Sequence, residues 1–126
     1  MYQILIVEDE PAMQIGLKDN LEFEGYQIDL ADDGKIGLKK ILENNYNLIL
    51  LDVMLPSLSG FDICKKLRTQ GIRTPVIMLT ARSFAIEDEQ KEDLQISEFL
   101  SKPLSPKDLL RSIEDVLYQR AVKQES

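Results

Sequence analysis

The positions in this chain where chemistry is possible are dominated by carboxylates. Glu8-Asp9-Glu10 follows directly on the apolar run Ile4-Leu5-Ile6-Val7, and a second run, Leu48-Ile49-Leu50-Leu51, stops at Asp52. Thr80 ends a third run, Val76-Ile77-Met78-Leu79, and Lys102 follows Phe99-Leu100-Ser101. The chain contains no histidine. If the acids converge, two carboxylates about 4 Å apart repel by roughly 4 kcal/mol at an effective dielectric near 20, and Glu8 or Glu10 adds a third charge. Either a carboxyl keeps its proton or a cation binds. An all-oxygen cluster selects a hard ion, Mg2+ or Mn2+, over zinc or copper. A carboxylate held beside such an ion can act as a nucleophile toward a phosphoryl group. The other phosphoryl oxygens then need a cation and a hydroxyl donor, and Lys102 and Thr80 are candidates for those roles. Taken singly, each residue has a plainer reading: a strand-end aspartate, a solvated acidic loop at a helix start, a surface lysine, a strand-end hydroxyl. Those readings explain one acid well and three acids converging with Asp52 poorly.

Convergence depends on the elements that carry these residues. Leu48 to Leu51 is too short for a helix and is bounded downstream by Pro56 and Gly60, which predicts a strand buried on both faces, as in parallel sheets. Gln3–Val7 is a second such strand, Tyr26–Ala31 a third, Pro75–Thr80 a fourth and Glu98–Ser101 a short fifth. Helices are predicted between them. One opens at Pro11 with Met13, Leu17 and Leu21 on one stripe and ends at Gly25. The next follows Asp32-Asp33-Gly34 with Leu38, Ile41 and Leu42 inward. Ser59, with Asp62 three residues on, caps a third that turns Ile63, Cys64 and Leu67 inward and closes at Gly71. Ser83 to Ile96 reads as a weakly held helix, because five acids crowd its few apolar residues. Ser105-Pro106-Lys107-Asp108 caps the last, with Leu109, Ile113, Val116 and Leu117 inward.

Strand and helix therefore alternate five times across short loops, which implies an α/β fold with a doubly wound, flavodoxin-like parallel sheet of order 2-1-3-4-5 and five helices. In that order the first and third strands are neighbours, roughly 5 Å apart, so Asp9 and Asp52 flank one crevice at the carboxyl edge, with Thr80 and Lys102 on the next strands.

Length and composition bound the rest. A chain of 126 residues holds one ordinary domain. Residues 1–122 are expected to form it, with Ala121 onward fraying, 123–126 as a tail, and no output domain within the chain. With 22 acids against 15 bases the net charge is −7, which argues against nucleic-acid binding by this module. No apolar run approaches the roughly 18 residues of a membrane span and no basic, apolar leader opens the chain, so a cytoplasmic location is expected. The single cysteine, Cys64, reads as a small core residue.

Val7-Glu8-Asp9-Glu10-Pro11, Leu50-Leu51-Asp52-Val53-Met54-Leu55-Pro56 with Gly60, Leu79-Thr80-Ala81, and Phe99-Leu100-Ser101-Lys102-Pro103 resemble, in order and spacing, the successive motifs of the receiver domain of two-component response regulators. The resemblance covers residues 3 to about 120. It implies that Asp52 accepts the phosphoryl group, with Glu8, Asp9, Asp52 and the Met54 backbone carbonyl around Mg2+. It also implies that Thr80 and Lys102 read the phosphoryl group, that Phe99 is the aromatic switch, and that Lys102-Pro103 is a candidate cis peptide. Met54 and Arg82 occupy the positions that flank the hydrolytic water in such domains. A sensor histidine kinase or phosphotransfer protein would be the donor, and a downstream protein the target of a surface formed by Ser83–Ile96, the fifth strand and the last helix. The domain would be a monomer or a phosphorylation-dependent dimer, and no enzyme beyond its own phosphotransfer and slow autodephosphorylation. One departure stands out. Receiver domains usually carry a Gly-Ala-Asp-Asp-like stretch before the switch aromatic, where this chain has Gln95-Ile96-Ser97-Glu98.

Two other classes compete. A nucleotide- or flavin-binding enzyme needs a phosphate-cradling loop after the first strand, and three acids there would repel the ligand. A phosphatase of the haloacid dehalogenase type would want a second aspartate where Met54 stands. A phosphorylation-independent interaction module would not need every chemical position filled.

Overall fold

Three of the strands are apolar because both faces of the sheet are covered. A computed structural model of the chain describes residues 1–81 and 92–125. Its five strands are β1 (Gln3–Val7), β2 (Gln27–Ala31), β3 (Leu48–Asp52), β4 (Val76–Ala81) and β5 (Glu98–Lys102). All pair in parallel, in the order β2-β1-β3-β4-β5. Four helices are described: α1 (Pro11–Phe23), α2 (Gly34–Glu43), α3 (Gly60–Thr69) and α4 (Pro106–Glu125). Most of the further helix predicted over Ser83 to Ile96 lies outside the described residues, and within them Glu92 and Asp93 are helical.

Successive strand residues point to opposite faces, and two cores separate by that rule. Ile4, Ile6, Leu48, Leu50, Ile77 and Leu79 meet Leu17 and Leu21 of α1 and Leu109, Ile113, Val116 and Leu117 of α4. Leu5, Val7, Ile49, Leu51, Val76 and Met78 meet Ile41 of α2 and Ile63, Cys64 and Leu67 of α3. Each of these side chains contributes about 1.5–3 kcal/mol when fully buried, so a slip of register by one residue would exchange the two cores and is strongly opposed.

Local signals set the helix starts. The side chains of Asp33 and Ser59 accept from the backbone N–H groups of Ile36 (3.0 Å) and Asp62 (3.1 Å), and Pro11 fills the first helical position of α1. Two expectations need correction. Leu42 is exposed, because the buried line of α2 runs through Gly34, Gly37 and Ile41 and Leu42 lies one step of the helix past it. The last helix does not end near Ala121 but continues to Glu125. Among the described residues no helix is long and apolar enough to cross a membrane.

Candidate functional site

The alternation that sorts the core also gathers the polar residues. Glu8 lies two residues past Ile6, Asp52 two past Leu50 and Lys102 two past Leu100, so all three continue the α1/α4 side of the sheet at its carboxyl edge. Their side chains meet there. Lys102 Nζ donates to Glu8 Oε1 at 2.8 Å and to Asp52 Oδ2 at 2.7 Å. Glu8 is fully buried and Asp52 nearly so. The other oxygen of each carboxylate is held by backbone: Met54 N–H donates to Asp52 Oδ1 at 3.0 Å, and Glu10 N–H to Glu8 Oε2 at 3.1 Å. The Gln14 side chain, from the first turns of α1, donates to the Glu8 backbone carbonyl. No sequence signal singles out Gln14.

A close backbone approach fixes the end of β3. Gly60 N–H donates to the Val53 carbonyl at 2.9 Å. A Cβ at Gly60 would lie 2.4 Å from the Asp52 carbonyl oxygen and 3.0 Å from Val53 Cα. Only glycine lets α3 begin there, and α3 in turn holds the strand end that carries Asp52.

The electrostatics of the cluster are out of balance. Oxygens of Glu8, Asp9 and Asp52 all lie within 4.8 Å of one another. Among the described residues, three carboxylates face the one ammonium of Lys102, which leaves two negative charges at a partly buried site. Burial, helped by the charge of Asp52, raises the Glu8 carboxyl above its ordinary value, although the Lys102 and Glu10 hydrogen bonds oppose it. Burial alone would lower Lys102, but its hydrogen bonds to Asp52 and Glu8 outweigh that and raise it. The donor set therefore fits a divalent, oxygen-seeking cation in charge, ligand type and mutual distance.

The remaining predicted positions divide. Asp9 is exposed and within reach of the cluster, while Glu10 is exposed and outside it, so Glu8 supplies the third acid. Thr80 is buried, with its hydroxyl donating to the Ala81 carbonyl at 3.3 Å. By alternation Thr80 falls on the opposite face of the sheet from Asp52, the face on which Phe99 packs against the α2/α3 core. The Met54 side chain is exposed. Arg82 lies outside the described residues. The Lys102–Pro103 peptide is cis.

Residues 4–114 match the family model of the response regulator receiver domain. The response regulator ArlR of Staphylococcus saprophyticus is 40% identical over 123 residues, covering 98% of this chain and 56% of the relative. DltR of Streptococcus agalactiae, a transcriptional regulatory protein, is 40% identical over 111 residues, 88% of this chain and 50% of its own. The chain thus spans about half the length of these curated relatives. Among solved structures, a CheY-like receiver domain protein from Methanospirillum hungatei superposes with a TM-score of 0.91 at 30% identity, covering 98% of both chains. TrrA of Thermotoga maritima, solved with Mg2+ and BeF, superposes with a TM-score of 0.83 at 33% identity, covering 92% of this chain and 99% of that one.

Proposed function

Because the chain belongs to the response regulator receiver domain family, we propose that Asp52 is its phosphoacceptor, that Glu8, Asp9 and Asp52 hold Mg2+ with the Met54 carbonyl, and that phosphorylation remakes a partner-binding surface. The observation that carries the proposal is the meeting of Glu8, Asp9, Asp52 and Lys102 at one sheet edge. The cation, when bound, offsets the charge of the carboxylates and of the incoming phosphoryl oxygens.

An oxygen of Asp52 attacks the phosphorus of a phosphohistidine on a sensor kinase or phosphotransfer protein. The new O–P bond forms as the P–N bond breaks, and the electron pair leaves on the imidazole. Met54 N–H holds the carboxylate in place for in-line approach. Lys102, already hydrogen-bonded to Asp52, transfers its ammonium to a phosphoryl oxygen. Thr80, bonded only weakly to Ala81 at 3.3 Å, turns its hydroxyl toward another oxygen. Phe99 shares its face and stands on β5 opposite Met78, two residues before Thr80, so it follows into the space Thr80 leaves. The surface formed by Ser83–Ile96, β5 and α4 is then read by a downstream protein target, with no nucleic acid bound by this domain itself and with the chain either monomeric or dimerising on phosphorylation. The domain acts in the cytoplasm and catalyses only its own phosphotransfer and slow dephosphorylation. Met54 and Arg82 place no carboxylate or carboxamide to orient a hydrolytic water, which gives a long-lived phosphoryl group.

Hydrogen exchange tests the switch. Beryllofluoride with Mg2+ should change protection across Thr80 to Leu104, and less in Thr80→Ala. A change confined to the loops around Asp9 and Asp52 would contradict it.

A further inference from the structure

Three of the five arginines in the chain, Arg68, Arg73 and Arg120, line one cleft of about 580 Å3 at the amino edge of β4 and β5, the opposite end of the sheet from Asp52. Among the described residues no acid lines it, in a chain with 22 of them. Among the described residues none of the three arginines forms an ion pair. Among the described residues their hydrogen bonds go to neutral acceptors alone. Arg68 donates from Nε to the Leu94 carbonyl at 2.9 Å, from Nη1 to the Ile72 and Thr74 carbonyls at 2.8 and 2.9 Å, and from Nη2 to the Gln95 carbonyl at 3.2 Å. Arg120 Nη1 donates to the Asn47 carbonyl at 3.1 Å and Arg73 Nη1 to Gln95 Oε1 at 2.8 Å.

A bracing role accounts for Arg68, which ties the end of α3 to the segments entering β4 and β5. It does not account for Arg73 and Arg120 converging on the same cleft, where like charges repel. Burial lowers Arg68 below the ordinary arginine range, against the opposing effect of Cys64, and the charge of Arg73 adds a lesser lowering. With its oxygen taken by Arg73, the Gln95 amide keeps its N–H2 group as a donor. Pro75 and Val116 supply apolar wall beside these donors. That combination of a few aimed polar groups on a partly apolar cleft of this volume is what small-ligand sites share.

We propose that this cleft binds a compact polyvalent oxyanion of the phosphate class, an inorganic diphosphate or the diphosphate end of a small metabolite. Guanidinium groups match phosphate oxygens with paired N–H donors, and more than one negative charge is needed to relieve their mutual repulsion. A small ligand is favoured over a nucleic acid because the −7 charge of the chain repels an extended polyanion, whereas a compact one meets only the local field.

The test is a titration followed by amide NMR, with EDTA present and no Mg2+, so that phosphate is not drawn to the Asp52 edge. Inorganic pyrophosphate should shift the amides of Gln95, Ser97 and Gln119 saturably, and sodium chloride at matched ionic strength should not. A nucleoside diphosphate should shift the same amides; tighter binding than pyrophosphate assigns a metabolite as the natural ligand, and equal or weaker binding an inorganic anion. Replacing Arg73 and Arg120 together with Gln should weaken pyrophosphate by about tenfold or more, since each charge-assisted pair lost is a substantial part of the affinity. Arg73→Lys, which keeps the charge and loses the fork, should fall between. Shifts confined to residues around Asp52, shifts reproduced by chloride, or a double variant that keeps its fold and binds as the parent does would each overturn the proposal.

Discussion

Replacing Lys102 with Met keeps the reach of the side chain and removes the ammonium that, among the described residues, holds Glu8 and Asp52 together. Those carboxylates are 2.8 and 2.7 Å from Lys102 Nζ, with side chains only 1% and 5% exposed. Without it, oxygens within 4.8 Å of each other repel by about 3.5 kcal/mol at an effective dielectric near 20, and two charge-assisted hydrogen bonds of about 1.5–3 kcal/mol each are lost. Lys102 is itself 27% exposed, so water and small displacements recover part of this. The expected loss is about 3 kcal/mol, at the low end for breaking a buried pair. Urea unfolding at pH 7 in EDTA measures it. Two changes of condition should return stability. In the folded chain the Glu8 carboxyl titrates above its ordinary value of 4.5, chiefly because it is buried. Between that value and the raised one the folded state binds a proton the unfolded state lacks, so stability rises as pH falls through the window. The rise should be larger in Lys102→Met, where the lowering effect of the ammonium is gone. Mg2+ should likewise stabilise the variant more than the parent, because the cation then has no ammonium to displace. A loss under about 1 kcal/mol, within the range of ordinary substitutions, or equal Mg2+ stabilisation of both proteins, would refute the reasoning.

Two further substitutions probe the same edge of the sheet. Gly60→Ala places a Cβ 2.4 Å from the Asp52 carbonyl oxygen, and since the opposing atoms are backbone, α3 must shift; the expected cost is about 1–3 kcal/mol in urea unfolding, with slower labelling by acetyl phosphate. Met54→Asn exchanges an exposed side chain two residues past Asp52, so stability should stay within about 0.5 kcal/mol, while the added carboxamide orients water and speeds loss of phosphate; an unchanged or slower loss rate measured by intact mass would count against the hydrolytic role.

Much of this arrangement was legible in the chain. The apolar runs ending at Val7, Leu51 and Leu79 fixed three strands, and their alternation, once carried past the last apolar residue, puts Glu8, Asp52 and Lys102 on one face and Thr80 with Phe99 on the other. The same parity distinguishes buried Glu8 from exposed Asp9. What the pattern could not show depends on contacts between distant segments. Tyr46 is buried because its hydroxyl reaches Asp29 Oδ2 at 2.6 Å, a partner 17 residues back on β2 that also takes Lys40 Nζ at 2.9 Å. Leu42 carries the right residue type for a core but the wrong helical angle. Arg68 looks like one more charge in the last turn of α3, and its four carbonyl partners appear only when the entries to β4 and β5 fold beside it.

The central claim is that a phosphoryl group is taken up at Asp52 and nowhere else. Incubation with acetyl phosphate and Mg2+, followed by intact-mass measurement of the parent and of Asp52→Asn, tests it directly. The parent should gain the mass of one phosphoryl group, fail to gain it when Mg2+ is left out of the labelling reaction, and carry it on the peptide containing Asp52. Uptake by Asp52→Asn equal to that of the parent, or a label on any other residue, would contradict the account.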